Sequence, residues 1–166
     1  MLSVKKSQRG VTLVEAMIAL LVISIGLLGI ASLQLTAMSQ NTSALNHSRA
    51  VWAAYNMADR IRANITNIND AVIYNGIHTD TAPTRDCSGG CNQLQMVEAD
   101  VDEWADMVQT LPKGRGTVVF NNNILTVTVM WDDDGTDANG EGCNPQNAND
   151  LTCYRVAVAP RTVVVP

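Results

Sequence analysis

Glu15 is the only charged residue between Val11 and Asn46, and its flanks are Val11-Thr12-Leu13-Val14 before and Ala16-Met17-Ile18-Ala19-Leu20 after. A carboxylate in a membrane-length apolar segment costs about 2.5–3.5 kcal/mol at mid-bilayer on insertion scales. Such a group calls for a cationic partner, which makes Glu15 a candidate ion-pairing residue. The basic residues nearest to it, Lys5, Lys6 and Arg9, form a short leader that stops at Gly10.

Three other groups of residues could do chemistry. Cys87-Ser88-Gly89-Gly90-Cys91 holds two thiols four apart. A metal site would need a second thiol pair or histidines at matching spacing, and none accompanies it. Asp132-Asp133-Asp134-Gly135-Thr136-Asp137-Ala138-Asn139-Gly140-Glu141-Gly142 collects carboxylates and glycines, a composition that suggests calcium. The EF-hand pattern fails there, because placing Gly140 at the invariant glycine puts Gly135 where an aspartate ligand belongs. The segment reads as a solvated acidic loop, and no metal or other cofactor is expected. His47, His78 and Ser88 have no nucleophile motif beside them, and Ser88 lacks the Gly-x-Ser-x-Gly pattern of a nucleophile elbow. The chain reads as a non-enzyme.

Length and charge narrow the classes further. The chain has 166 residues and a net charge of -5, and removal of the three leader cations leaves -8 on the remaining side chains. That acidity argues against general nucleic-acid binding, which needs a basic surface to displace counterions. Direct contact with nucleic acid is not expected.

From Val11 to Leu33 the run is long enough, at about 34 Å as a helix, to cross the hydrocarbon layer. No basic residue follows until Arg49, so the positive-inside rule keeps the amino terminus in the cytoplasm and sends the rest across. Cys87, Cys91, Cys143 and Cys153 all lie on the exported side, where an even count reads as two disulfides. Proximity in sequence selects Cys87 with Cys91 and Cys143 with Cys153 among the three possible connectivities. Gly26 and Gly29 interrupt the run at a cost of about 1 kcal/mol each relative to alanine. Two readings stand side by side: close packing of small residues between helices, or a weak stretch that extends when the helix leaves the bilayer.

Beyond Leu33 the sequence turns polar with no proline until Pro83. Met38, Leu45, Trp52, Tyr55, Ala58, Ile61, Ile65 and Ile68 recur at largely helical spacing, so an amphipathic continuation over 34–66 is expected. Val11 to about Asn64 would make a rod near 80 Å long. Residues 67–93 read as a connecting loop. Val97, Val101, Trp104, Val108 and Leu111 mark a second helix ending before Pro112. The period then changes to two. Thr117–Asn121 and Ile124–Trp131 read as strands joined by asparagines, with Leu125, Val127, Val129 and Trp131 on one face. A third strand runs through Tyr154, Val156 and Val158, continuing at Thr162–Val165 after Pro160. An antiparallel sheet packing on the stripe of the long helix follows, giving an α+β fold.

The leader, Gly10, the apolar run and Glu15 together resemble the amino terminus of a type IV prepilin; an ordinary signal peptide would have a shorter core and a small-residue cleavage site, and a plain signal anchor fits the length and flanks but gives no reason for Glu15 or for Gly10-Val11-Thr12-Leu13. The resemblance implies the type IV pilin fold, with a long amino-terminal helix packed against a small sheet head. It also implies a leader of residues 1–10, a transmembrane and filament-core helix over 11–33, its amphipathic continuation over 34–66, and a periplasmic head over 67–166. A prepilin peptidase would cut after Gly10, whose missing side chain suits an extended backbone in a protease cleft, and would methylate the new amino group on Val11. Relatives usually begin with phenylalanine there. Glu15 would neutralise the amino terminus of a neighbouring subunit during assembly.

Within that superfamily the chain is most similar to the minor pilins called type IV pilus modification proteins (PilV). The match is carried by Gly10 to Val22 with Gly26-Leu27-Leu28-Gly29, and by Trp104 with Leu111-Pro112-Lys113-Gly114-Arg115-Gly116 and Val129-Met130-Trp131. That similarity implies other minor pilins, the major pilin, a tip adhesin-like protein and an inner-membrane assembly platform as partners. It implies a single-pass inner-membrane location in a Gram-negative type of envelope, then an extracellular pilus supporting twitching motility, adhesion and DNA uptake. The alternatives are a pseudopilin of a type II secretion system and a membrane-anchored periplasmic binding domain.

Overall fold

The computed structural model describes Gly10, residues 12–65 and residues 68–159. The leader residues 1–9, Val11 and the strand continuation expected at Thr162–Val165 lie outside the described residues. The chain divides into two compact units, residues 1–42 and 43–166.

Helix α1 runs over Leu13–Asn64 and contributes to both units. It starts where Thr12 Oγ1 accepts a hydrogen bond from the Glu15 amide at 3.3 Å, satisfying one of the orphan donors of a first turn. No proline interrupts it, and the hydroxyls of Ser24, Thr36, Thr42 and Ser48 fold back onto carbonyls four residues earlier. Those bonds absorb polar groups that would otherwise compete with the helix backbone.

In the first unit the large apolar side chains from Leu13 to Met38 are 54–78% exposed. In the second unit α1 buries one face through Asn46, Ala50, Ala53, Ala54, Met57, Ala58 and Ile61. This differs from the expected stripe. Leu45, Trp52 and Tyr55 are exposed, while alanines line the covered side. Small side chains let the helix axis approach its neighbours closely, and the bulky residues are left on the other side.

Helix α2 spans Gln93–Gln109. Asn92 caps it: its side chain accepts from the Gln95 amide at 2.9 Å, and the Gln95 side chain accepts from the Asn92 amide at 3.1 Å. Two orphan donors are met reciprocally. Val97, Val101, Trp104, Ala105 and Val108 form its buried face, and the Trp104 indole donates to the Ala53 carbonyl of α1 at 3.0 Å.

The sheet has four antiparallel strands in the order β1-β2-β3-β4: β1 Ile77–His78, β2 Arg115–Asn121, β3 Ile124–Trp131 and β4 Thr152–Val158. Asn122 and Asn123 adopt φ of 49° and 63° at the β2–β3 turn, the left-handed conformations that a tight hairpin requires and asparagine tolerates. Leu125, Val127, Val129 and Trp131 are all buried with Val156 and Val158 in the main core. Met130, on the opposite face, is buried in a second, small cluster with Ala138 and Leu151, against Cys143 and Cys153.

Residues 67–93 hold more than a connecting loop. They contain 3-10 helices at Ile68–Tyr74 and Thr79–Thr81 and the strand β1 between them. Ala71 and Tyr74 are fully buried. These pieces are too short to show a period in sequence, and tertiary burial decides them.

Candidate processing and assembly segment

Gly10 is exposed, and α1 begins three residues after it. Glu15 is also exposed, in the first helical turn. Its carboxylate therefore sits near the positive end of the helix dipole, where negative charge is favoured. The helix over these residues is long and apolar enough to cross a membrane, with a best-window mean hydropathy of 2.6. Gly26 and Gly29 remain helical, and apart from the helix's own adjacent backbone nothing among the described residues lies within 4 Å of a Cβ built on either. Among the described residues no close approach requires glycine at those two positions.

In the second unit Cys87 is joined to Cys91, with Cα atoms 5.3 Å apart, and Cys143 to Cys153, 5.5 Å apart. Gly90 closes the shorter loop at φ 87°. Asp86 beside it accepts bonds from the Ser88 amide and hydroxyl, and these hold its carboxyl below the ordinary aspartate range. Ser88 is thereby occupied as a turn residue. His78 lies exposed on β1, and His47 sits edge-on to Trp131 and Tyr154, with ring centroids 6.0 and 5.8 Å away.

The acidic loop is held together by its own carboxylates. Asp132 accepts from the amides of Thr136 and Asp137 at 3.1 and 3.0 Å. Asp133 accepts from the Trp131 indole at 3.0 Å and from the Ser43 hydroxyl of α1. Asp150 accepts from the Asn144 amide and the Asn147 side chain. Lys113 pairs with Asp137, lowering that carboxyl's pKa, and Arg115 reaches Glu141. A cleft of about 420 Å³ lined by Asp132, Asp134, Asn147 and Asp150 results. Among the described residues no group of three or more His, Cys, Asp or Glu is arranged to hold a metal ion.

A polar cluster between α1 and α2 was not legible in sequence. Arg60 bonds Asp100 at 2.9 Å and pairs with Glu103, while Tyr74 accepts from Asn64 at 2.8 Å. Burial pushes the Tyr74 phenol up to about 12, so it stays protonated at physiological pH. The signal that could have found the cluster is Asp100, a carboxylate on the apolar face of α2 that needs a partner when buried.

The glycines of 114–116 have a local reason. A Cβ on Gly116 would overlap the Trp104 ring, and one on Gly114 would collide with the Val108 carbonyl. The Trp104 and Gly114-Arg115-Gly116 pattern is thus one packing unit joining α2 to β2.

Residues 5–31 match the model of the prokaryotic N-terminal methylation motif. No curated protein and no solved structure matches the chain. The motif, with a long amino-terminal helix packed on a small antiparallel sheet, supports a type IV pilin-like prepilin with an α+β fold of that type. It implies processing by a prepilin peptidase and handling by pilus assembly machinery, and it fits an inner-membrane anchor. Chains carrying this motif are generally structural and non-catalytic.

Proposed function

We propose that this chain is a minor pilin of a type IV pilus, closest to the modification protein PilV, a non-catalytic subunit that helps prime assembly and is incorporated at the tip. In this reading residues 1–10 are the leader, 11–33 the membrane and filament-core helix, 34–66 its continuation, and 67–166 the periplasmic head. Cleavage follows Gly10, Val11 becomes the methylated amino terminus, and Glu15 neutralises the amino terminus of the next subunit. Gly26 and Gly29 loosen the helix as it passes from lipid to fibre. The partners are other minor pilins, the major pilin, an adhesin-like tip protein, the peptidase and the inner-membrane platform, and the cell functions served are twitching motility, adhesion and DNA uptake.

The observation that carries the proposal is the methylation motif leading straight into an exposed apolar helix. Mass spectrometry of the native product tests it. The expected amino-terminal peptide begins at a methylated Val11, and Gly10→Ala abolishes that peptide. Retention of residues 1–10 in the native protein, or loss of the whole apolar helix, refutes the proposal. The same motif suits a type II secretion pseudopilin. Deletion separates the two, since loss of secretion with intact pili would favour the pseudopilin. Heat on titrating the protein with millimolar calcium would favour an anchored binding domain.

A further inference from the structure

The two disulfides sit in unlike surroundings. Cys143 and Cys153 pack against the small core of Met130, Ala138 and Leu151, and they tie the acidic loop to β4 across ten positions of sequence. Cys87 and Cys91 are only four apart, and among the described residues neither packs on a core cluster. Asp86, Ser88, Gly89, Gly90 and Asn92 around them are all exposed. Nothing described lies within 4 Å of a Cβ built on Gly89 or Gly90, so the loop is open to the approach of another chain. Its flanks are held without the sulfurs. Arg85 bonds Glu98 through its side chain at 2.7 Å and Asp102 through its amide at 3.3 Å, and the Asn92–Gln95 capping box fixes the start of α2. Opening this loop therefore uncovers none of the core. A shorter closed loop also restricts the unfolded chain less, so less stability goes with it.

The pair is electrically asymmetric as well. Cys91 immediately precedes the cap of α2, a helix of 17 residues whose positive end favours a thiolate. Cys87 follows Asp86, whose carboxylate the Ser88 amide and hydroxyl hold in its ionised form. The Cys87 sulfur also lies 3.9 Å from the Gln95 carbonyl oxygen. Both of these oxygen groups disfavour negative charge on Cys87, which leaves Cys91 as the better leaving group.

We propose that Cys87–Cys91 is a thiol-exchange site, opened and reclosed by a protein dithiol while Cys143–Cys153 stays intact. The incoming thiolate attacks Cys87 Sγ and forms a mixed disulfide, and Cys91 departs as a thiolate at the start of α2. The second thiol of the partner, once deprotonated, attacks the partner's own sulfur in that mixed disulfide and releases Cys87. The cysteine pair gains two electrons and takes up two protons through water, and the dithiol becomes a disulfide. The site lies wholly in the second unit, so the inference does not rest on amino-terminal processing.

The test uses the oxidised full-length chain in micelles with reduced thioredoxin as the dithiol, quenched by alkylation and read by peptide mass. Cys87 and Cys91 are expected to be alkylated at least about tenfold faster than Cys143 and Cys153, with amide exchange in β3 unchanged. A thioredoxin lacking its second cysteine traps the intermediate, expected as a mixed disulfide on Cys87 with Cys91 free to be alkylated. Resistance of Cys87–Cys91 to thioredoxin, equal rates for the two pairs, or faster opening of Cys143–Cys153 would overturn the proposal. So would a trapped adduct on Cys91, or loss of β3 protection when Cys87–Cys91 opens.

Discussion

The two stretches of α1 are continuous in backbone and opposite in what surrounds them. Over 13–42 the helix shows its large aliphatic side chains to the outside on every face. Over 43–64 it buries a row of alanines with Met57 and Ile61 and leaves Trp52 and Tyr55 exposed. The lesson is that hydrophobicity and burial part company. Among the described residues the more apolar stretch has no buried position, and the less apolar one supplies a wall of the core. Helical backbone bonds are satisfied within the segment in either setting, so one helix can serve an apolar solvent at one end and a protein core at the other.

A single charge breaks the comparison most sharply. Ala54→Arg puts a guanidinium among fully buried side chains, and we expect it to unfold the head at a cost of about 4 kcal/mol or more. Leu21→Arg is expected to leave the head intact while costing about 2.5–3.5 kcal/mol in membrane insertion. Limited proteolysis reads the first effect and membrane fractionation the second. If both variants failed in the same assay, the two stretches would not be the separate environments described.

Packing sharpens it next. Gly116→Ala forces the new methyl into the Trp104 ring and is expected to destabilise the head by about 1–3 kcal/mol, read as a lower unfolding midpoint. Trp104→Phe in the same background should recover part of the loss by shortening the ring, even though it gives up the bond to Ala53. An unchanged midpoint in Gly116→Ala would mean that β2 and α2 are not in the contact described.

The smallest effect lies in the membrane stretch. Gly26→Ala with Gly29→Ala meets nothing beyond the helix's own backbone and should favour helix by about 1 kcal/mol per site. Amide exchange around those residues in micelles should slow by up to about thirtyfold, with the head unaffected. Faster exchange in the variant would contradict an unobstructed helix there.

The large elements were legible from length and period, although the period misplaced the covered face of α1, where Leu45, Trp52 and Tyr55 are exposed. The seam of Val97, Val101, Trp104 and Val108 and the alternation of Leu125, Val127, Val129 and Trp131 mark core-facing segments, while the apolar run marks a helix that the core does not cover. The motif matched at residues 5–31 was legible for another reason: basic residues, a glycine and a lone carboxylate beside an apolar run need no folded context to be recognised. The short pieces in 67–93 were not legible, since two strand residues and single 3-10 turns leave no periodic trace.

Sequence by itself settled where α1 could lie in an apolar medium, because transfer from water depends on composition summed along a segment and not on its neighbours. It also restricted the β2–β3 reversal to residues that accept positive φ. Only the tertiary structure decided which face of α1 is covered, that Arg60 meets Asp100, and that Met130 is roofed by Ala138 and Leu151. Those outcomes depend on the fit of side chains brought together from distant positions, a many-body property that no local pattern encodes.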